Sequence, residues 1–142
     1  MIHPTSFVGE GCDLPPDVDI REFCILRGGI TVGCDVTIYA YSNIAHGTII
    51  EDHVYIGPGV ITTNTKRVWH RRPKMPMHPR EPVTIKCGAR VGAGVIILPG
   101  VVIGEQSFIG AGSVVTKDTK PLHMYWGNPA RDKGRIPDEE IL

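Results

Sequence analysis

Two residues in this 142-residue chain combine chemical capability with a suggestive spacing, His46 and Asn64, which lie 18 positions apart. An imidazole that titrates near neutrality can accept a proton from an attacking amine or hydroxyl, so His46 is the first candidate for a general base. A carboxamide such as that of Asn64 can both donate and accept hydrogen bonds to a small acceptor. The alternative is that His46 merely occupies a turn.

A basic segment follows Asn64 and reads TKRVWHRRPKMPMHPREP up to Pro82. Loops longer than about 12 to 15 residues inside a compact domain are usually functional or disordered. As a group its cations suit a phosphate-bearing ligand, although any single one of them can equally serve to keep the loop solvated. They are Lys66, Arg67, His70, Arg71, Arg72, Lys74 and Arg80.

The element that must position these residues is a repeat of six residues, since aliphatic side chains recur at every sixth position from Ile2 to Ile56 and again from Ile85 to Val115. A small or β-branched residue follows four places after nearly every one of them. An amphipathic helix would show three- and four-residue spacing and a half-buried strand would alternate by two, so neither fits. A short strand followed by a turn, three times per coil of 18 residues, does fit.

This repeat predicts one domain, residues 1–142, with repeats over 2–62 and 83–120, an excursion loop over 64–82 and a short C-terminal tail over 121–142. The fold class is all-β, a parallel β-helix. Because a coil has 18 residues, His46 and Asn64 are expected on successive coils, about 4.8 Å apart. The same spacing stacks Ala93 and Ala111, each flanked by glycines that allow close approach of a ligand.

Composition limits the partners. Fifteen Lys and Arg residues balance fifteen Asp and Glu residues, so no nucleic acid or anionic membrane is expected as a partner, and a small molecule is. No apolar run approaches the roughly 20 residues of a membrane-spanning helix, and the N-terminus lacks a signal-peptide pattern. The four cysteines form no CxxC pair and are expected as reduced thiols in a cytoplasmic protein.

The segment VGAGVIILPGVVIGEQSFIGAGSVVTKD, residues 91–118, resembles the left-handed β-helix acyltransferases, and the resemblance spans nearly the whole chain. The left-handedness of the β-helix is implied by this resemblance. So are acetyl-coenzyme A as co-substrate and a homotrimer with active sites between neighbouring subunits. By the same resemblance Ala93 and Ala111 offer backbone amides to the pantetheine arm, Thr116 and Lys117 lie near its phosphates, and Arg131 lies near the nucleotide end.

Among these families the chain is most similar to the nucleotide-amino-sugar N-acetyltransferases. Residues 46–52 resemble a segment that carries the base in sugar N-acetyltransferases, and Thr62-Thr63-Asn64 stands where relatives have Phe-Thr-Asn. This implies that His46 and Asn64 are catalytic and that Asn64, Arg67 and His70 contact the acceptor. Some members need no protein base, because the departing thiolate accepts the proton.

Three alternatives differ in chemistry. Galactoside-type O-acetyltransferases place a catalytic histidine in the loop, where this chain has Arg67, so His70 and His78 are the second candidates for a base and a hydroxyl is the second candidate acceptor. A non-catalytic structural protein is the third possibility, since a repeat specifies a fold and not a reaction. Zinc enzymes of this fold need three histidines with two of them five residues apart, whereas His46 and His53 are seven apart, so no metal is predicted.

Overall fold

The computed structural model describes residues 1–142 as a stack of coils, each built from short parallel strands joined by turns. The strands β1 to β15 have two residues each. Their bounds are β1 Phe7–Val8, β2 Asp19–Ile20, β3 Ile25–Leu26, β4 Thr31–Val32, β5 Thr37–Ile38, β6 Asn43–Ile44, β7 Ile49–Ile50, β8 Tyr55–Ile56, β9 Ile61–Thr62, β10 Thr84–Ile85, β11 Arg90–Val91, β12 Ile96–Ile97, β13 Val102–Ile103, β14 Phe108–Ile109 and β15 Val114–Val115.

Three parallel sheets form the three faces of the β-helix. The first face contains β1, β3, β6, β9, β12 and β15, the second contains β4, β7, β10 and β13, and the third contains β2, β5, β8, β11 and β14 with two further strands from the C-terminus. Paired residues within a face are 18 positions apart, as in Ile25 with Asn43. The predicted all-β parallel β-helix with 18 residues per coil is therefore confirmed.

The core is a column of aliphatic side chains inside the β-helix. The second residue of a strand points inward, so Ile38, Ile44 and Ile56 are fully buried, while the first residue points outward. The predicted inward ladder holds from Ile20 onward, but Ile2 is 44% exposed. Ile2 belongs to the first coil, which has no neighbouring coil beneath it.

Three corners join the faces, and each is a column of turns. We name the first the His46 corner (Gly28–Gly29, His46–Gly47, Asn64, Glu81–Pro82, Pro99–Gly100, Thr116–Lys117), between the first and second faces. The Asp52 corner (Cys34–Asp35, Asp52–His53, Cys87–Gly88, Glu105–Gln106) joins the second and third faces. The glycine corner (Phe23, Ala40–Tyr41, Pro58–Gly59, Ala93–Gly94, Ala111–Gly112) joins the third and first faces. In each column a turn amide donates to a carbonyl of the preceding coil, as Gly47 does to Gly28 at 3.2 Å.

The excursion loop leaves and re-enters at one corner. Across it the strand pairing offset rises from the 18 positions of Val32 with Ile50 to the 35 positions of Ile50 with Ile85, so the loop inserts 17 residues without changing the phase. The amide of Glu81 donates to the carbonyl of Asn64 at 2.7 Å and closes the base of the loop. Lys66 pairs with Glu81 at 3.0 Å just outside it.

The C-terminal tail contains a feature that the repeat did not predict, an antiparallel hairpin of β16 (His123–Gly127) and β17 (Ala130–Arg135), followed by a 3-10 helix, Asp138–Glu140. β16 pairs in parallel with β14 and extends the third face. The His123 ring lies 2.9 Å from the Asp132 carboxylate, and this hydrogen bond, with a second from the Gly134 amide, lowers the pKa of Asp132 to about 2. None of the helical structure is long and apolar enough to cross a bilayer.

Adjacent isoleucines on β7 give a test of the inward register. Ile50 is 1% exposed and Ile49 is 42% exposed. We expect Ile50→Ala to lower the free energy of unfolding by roughly 2 to 5 kcal/mol, because it leaves a cavity in the column. Ile49→Ala is expected to cost less than about 1 kcal/mol. Urea unfolding followed by circular dichroism measures both, and equal losses would contradict the register.

Candidate functional site

The His46 corner brings His46 and Asn64 together, as the 18-residue spacing predicts. The Asn64 side-chain amide donates to the main-chain carbonyl of His46 at 3.2 Å, and the Thr65 hydroxyl donates to the Asn64 side-chain oxygen at 3.1 Å. Both bonds hold the carboxamide where the loop leaves the β-helix. The imidazole of His46 is exposed and makes no hydrogen bond within the chain, so both ring nitrogens are available to a ligand.

The imidazole is positioned by packing, and Gly29 is the residue beneath it. A Cβ atom at Gly29 would lie 3.1 Å from Nε2 and 3.3 Å from Cε1 of His46. Gly29 also has a φ of 58°, in the left-handed region that glycine adopts without strain. The absence of a side chain at this position therefore lets the ring lie against the backbone of the preceding coil.

Two buried threonines support the corner from inside. The main-chain amide of Ala45 donates to Thr62 Oγ1 at 2.8 Å, and Thr48 Oγ1 donates to the carbonyl of Ala45 at 2.8 Å. The two hydroxyls lie 3.2 Å apart and are almost wholly buried. Thr62 takes a ladder position that holds an aliphatic residue in the other coils, and in doing so it fixes the backbone directly before His46.

A cleft of about 560 Å³ opens at this corner. Its lining carries two guanidinium groups, from Arg27 and Arg80, and no carboxylate. Neither arginine forms an ion pair within the chain, so the cleft is electropositive and suits an acceptor that carries negative charge. The full lining is Arg27, Asn43, Ala45, His46, Thr62, Thr63, Asn64, Thr65, Val68 and Arg80.

The loop residues predicted to contact the acceptor lie outside this cleft. Arg67 lines a second cavity of about 340 Å³ together with Lys66, His78, Pro79 and Glu81. His70 lines neither cavity, and its main-chain carbonyl accepts a bond from Arg72 at 2.7 Å. In a single chain, His46 and Asn64 are thus grouped with Arg27 and Arg80, while Arg67 and His70 remain predictions for the acceptor site.

The residues predicted to bind the cofactor divide between two corners. Ala93 and Ala111 are exposed on the glycine corner, and Gly112 donates its amide to the carbonyl of Ala93 at 2.8 Å. Thr116 and Lys117 directly follow β15 and lie on the His46 corner, across the first face.

Arg131 lies on β17 opposite Trp126, on the C-terminal hairpin. The tip of this hairpin adjoins the glycine corner, where the Gly127 amide donates to Ser113 Oγ at 3.1 Å. Ala93, Ala111 and Arg131 therefore line the same side of the β-helix.

The other histidines make local contacts. His53 lies 3.0 Å from Asp35 on the Asp52 corner, and His3 lies 2.8 Å from Thr5. With the His123 contact to Asp132, these three rings have partners near them in the chain, as expected of structural histidines. No group of three or more His, Cys, Asp or Glu side chains has an arrangement that could hold a metal ion.

Sequence reasoning missed Arg27, Arg80 as a cleft residue, and the supporting roles of Gly29 and Thr62. Arg27 lies on the column that continues through Ala45 and Thr63, so counting back by 18 from Ala45 finds it. Thr62 is signalled by a hydroxyl in a ladder of aliphatic residues. Arg80 has no such signal, because the repeat does not determine the path of the loop.

The fold and this corner define a transferase built from hexapeptide repeats. Residues 29–64 and 82–117, together just over half of the chain, match the family "Bacterial transferase hexapeptide (six repeats)". The chain belongs to this family.

Relatives of known name include acetyltransferases for both kinds of acceptor. The chain is 37% identical to a galactoside O-acetyltransferase of Lactococcus lactis over 96% of its own length and 66% of that protein, and 40% identical to the Escherichia coli galactoside O-acetyltransferase over 89% and 73%. A shorter match, 48% identical over 37% of this chain and 27% of the relative, is to dTDP-3-amino-3,6-dideoxy-alpha-D-galactopyranose 3-N-acetyltransferase of Aneurinibacillus thermoaerophilus. The chain thus spans two thirds or less of several relatives.

Solved structures with the same fold contain coenzyme A compounds. A hexapeptide-repeat acetyltransferase of Vibrio cholerae complexed with acetyl coenzyme A is 29% identical with a TM-score of 0.70, covering 92% of this chain and 71% of that one. An N-acyltransferase from Bacillus cereus in complex with dTDP and coenzyme A is 25% identical with a TM-score of 0.72, covering 94% and 84%.

The packing of the imidazole on Gly29 can be tested with a matched glycine. Gly11 precedes Gly29 on the same corner and also has a positive φ, 72°, but a Cβ there would lie 3.8 Å from its nearest neighbour, the Gly29 amide nitrogen. We expect Gly29→Ala and Gly11→Ala each to lose about 1 kcal/mol of stability from backbone strain. Only Gly29→Ala should shift the His46 ring signals in a long-range nitrogen–proton spectrum, with His53 as internal reference. Unmoved His46 signals would contradict this packing.

Proposed function

We propose that the protein transfers the acetyl group of acetyl-coenzyme A to the amino group of a nucleotide-linked amino sugar. The observation that carries the proposal is the cleft in which the exposed His46 ring and the fixed Asn64 carboxamide lie beside two arginines and no carboxylate. Relatives named as acetyltransferases supply the donor, and the free positive charge suits the diphosphate of a nucleotide sugar. The N-acyltransferase that binds dTDP and coenzyme A favours the same acceptor class.

The chemistry follows from these groups. The acceptor nitrogen attacks the thioester carbonyl, the bond from carbonyl carbon to sulfur breaks, and the coenzyme A thiolate leaves. His46 takes the proton that the amine loses, or the thiolate takes it while His46 orients the acceptor. Asn64, held through His46 and Thr65, keeps the acceptor at the thioester.

The donor site draws on two corners, which motivates a homotrimer. Ala93 and Ala111 lie on the glycine corner and Thr116 and Lys117 on the His46 corner, with the first face between them. One coenzyme A molecule can contact both sets when the glycine corner of one subunit faces the His46 corner of its neighbour. The outward residues of the first face are largely apolar, Phe7, Ile25, Ile61, Ile96 and Val114, and such a surface favours subunit contact.

Transfer to a sugar hydroxyl is the second candidate. The galactoside O-acetyltransferases of Lactococcus lactis and Escherichia coli, which match most of the chain, favour it. In that reading the base comes from the loop, from His70 or His78. His78 lines the cavity that contains Arg67, so it lies closer to bound ligand than His70 does.

Single histidine variants separate these two mechanisms. Under saturating acetyl-coenzyme A with candidate nucleotide amino sugars, His46→Ala is expected to lower turnover about a hundredfold to ten-thousandfold, because it removes the base, with little change in the donor Michaelis constant. His70→Ala and His78→Ala serve as loop controls and should remain near wild type. Turnover is measured as thiol release across a pH range.

The other outcomes reassign the role. A large fall in turnover for either loop variant, with His46→Ala near wild type, would move the base to the loop and favour the hydroxyl acceptor. If only Asn64→Ala matters, the thiolate takes the proton. If no variant changes a measurable turnover, the corner is not the catalytic site.

The shared donor site predicts effects on binding and on assembly. Lys117→Ala combined with Arg131→Ala should raise the donor Michaelis constant, because each removes a cation from the phosphate end. Arg135→Ala is the control, since Arg135 lies on the same strand but pairs with Asp138 at 3.6 Å. Sedimentation should give a trimer. A stable monomer that still turns over, or an unchanged Michaelis constant in the double variant, would contradict the arrangement.

A further inference from the structure

The outer side of the glycine corner is an open strip in the C-terminal coils. A Cβ atom at Gly94 or Gly112 would meet nothing within 4 Å, and one at Gly59 would meet only the Gly94 nitrogen, at 4.0 Å. The three glycines stack on successive coils, as their amides donate to Ala40, Pro58 and Ala93 at 2.8 to 2.9 Å. The strip is therefore a shallow channel parallel to the axis, with backbone as its floor.

The strip ends at an aromatic ring. The same column continues downward with Tyr41 and Phe23, and the Tyr41 amide donates to Glu22 at 3.0 Å, just as the glycine amides do one coil further up. Both aromatic residues have positive φ, 64° and 55°, a conformation that bulky side chains seldom adopt. Their rings are stacked with centroids 5.3 Å apart at 17°. Tyr41 is 66% exposed, so its upper face looks along the channel over Gly59.

Coil height relates this ring to the catalytic corner. Tyr41 and His46 lie on one coil, and Gly59 and Asn64 lie on the next. A three-fold axis parallel to the β-helix keeps each coil at the same height in every subunit. A donor with its nucleotide near Arg131 and its pantetheine along Ala111 and Ala93 therefore presents its acyl group beside Gly59, directly above the Tyr41 ring. Coils are spaced about 4.8 Å apart, which leaves room for an acetyl group and little more.

We infer that the Tyr41 ring closes the donor channel and restricts the acyl group to a short one. The inference rests on the proposed donor site and adds a specificity residue to it. The stacking on Phe23 holds the ring across the end of the channel, so a longer chain meets an aromatic face that cannot move downward. Tyr41 contacts no reacting atom in this role, and its hydroxyl has no part in it.

Binding of acyl-coenzyme A tests the inference without an identified acceptor. Dissociation constants for coenzyme A, acetyl-, butyryl- and hexanoyl-coenzyme A are measured by calorimetry on the assembled wild-type protein and on Tyr41→Gly, Tyr41→Phe and Asp35→Gly. Glycine suits the left-handed position, so Tyr41→Gly should keep the fold. Asp35→Gly is the matched control, because Asp35 also has a positive φ, 52°, but lies on the Asp52 corner.

Wild type, Tyr41→Phe and Asp35→Gly should bind hexanoyl-coenzyme A at least tenfold more weakly than acetyl-coenzyme A, within the roughly 10- to 200-fold that a tight apolar site imposes for unfavourable chain length. In Tyr41→Gly this ratio should fall to within about threefold. Retained discrimination in Tyr41→Gly, or none in wild type, overturns the role of Tyr41 while tight coenzyme A binding still supports the donor site. Failure to bind coenzyme A at all overturns both.

Discussion

Backbone hydrogen bonds between coils control everything else in this protein. A two-residue strand has no stability of its own, so its amides must find carbonyls on the adjacent coil, as Gly9 does at Leu26 and Gly33 does at Ile50, both at 2.8 Å. Such pairing works only if every coil advances the chain by the same amount. The 17-residue loop is tolerated because Ile50 still pairs in register with Ile85 after it. An insertion that altered this phase would expose the inward residue of every later strand.

The same constraint decides where chemistry can occur. Inward positions are filled by aliphatic residues and by hydroxyls that bond to turn carbonyls, such as Ser107 to Lys120 and Ser113 to Gly110, both at 2.6 Å. Outward strand positions lie on flat faces. Only the corners combine exposed side chains with a fixed vertical spacing, and therefore both the His46–Asn64 pair and the alanine ladder lie on corners. A ligand that needs two corners needs two copies of the chain.

The sequence predicted what the period controls and little else. Counting by 18 places Asn64 above His46 and Ala111 above Ala93, because the hydrogen-bonded register is periodic. The C-terminal hairpin escaped prediction, since residues 123–135 have neither the six-residue period nor a strong alternating pattern. The separation of Ala93 from Lys117 onto different corners could have been counted, as they follow β11 and β15, but the resemblance treats them as one set. The position of Arg80 depends on the path of the loop, which local sequence does not determine.

The electrostatics of the chain follow the same division between β-helix and loop. Six of the fifteen Lys and Arg residues lie in the loop, and Glu81 is its only carboxylate, so the neutral chain consists of a basic loop on a β-helix with net negative charge. Glu81 is tied to Lys66 and to the base of the loop, which leaves five cations without an acidic partner. Repulsion among them holds the loop open unless an anion binds there. A polyphosphate ligand would therefore order the loop against the corner that carries His46, coupling binding to closure of the cleft.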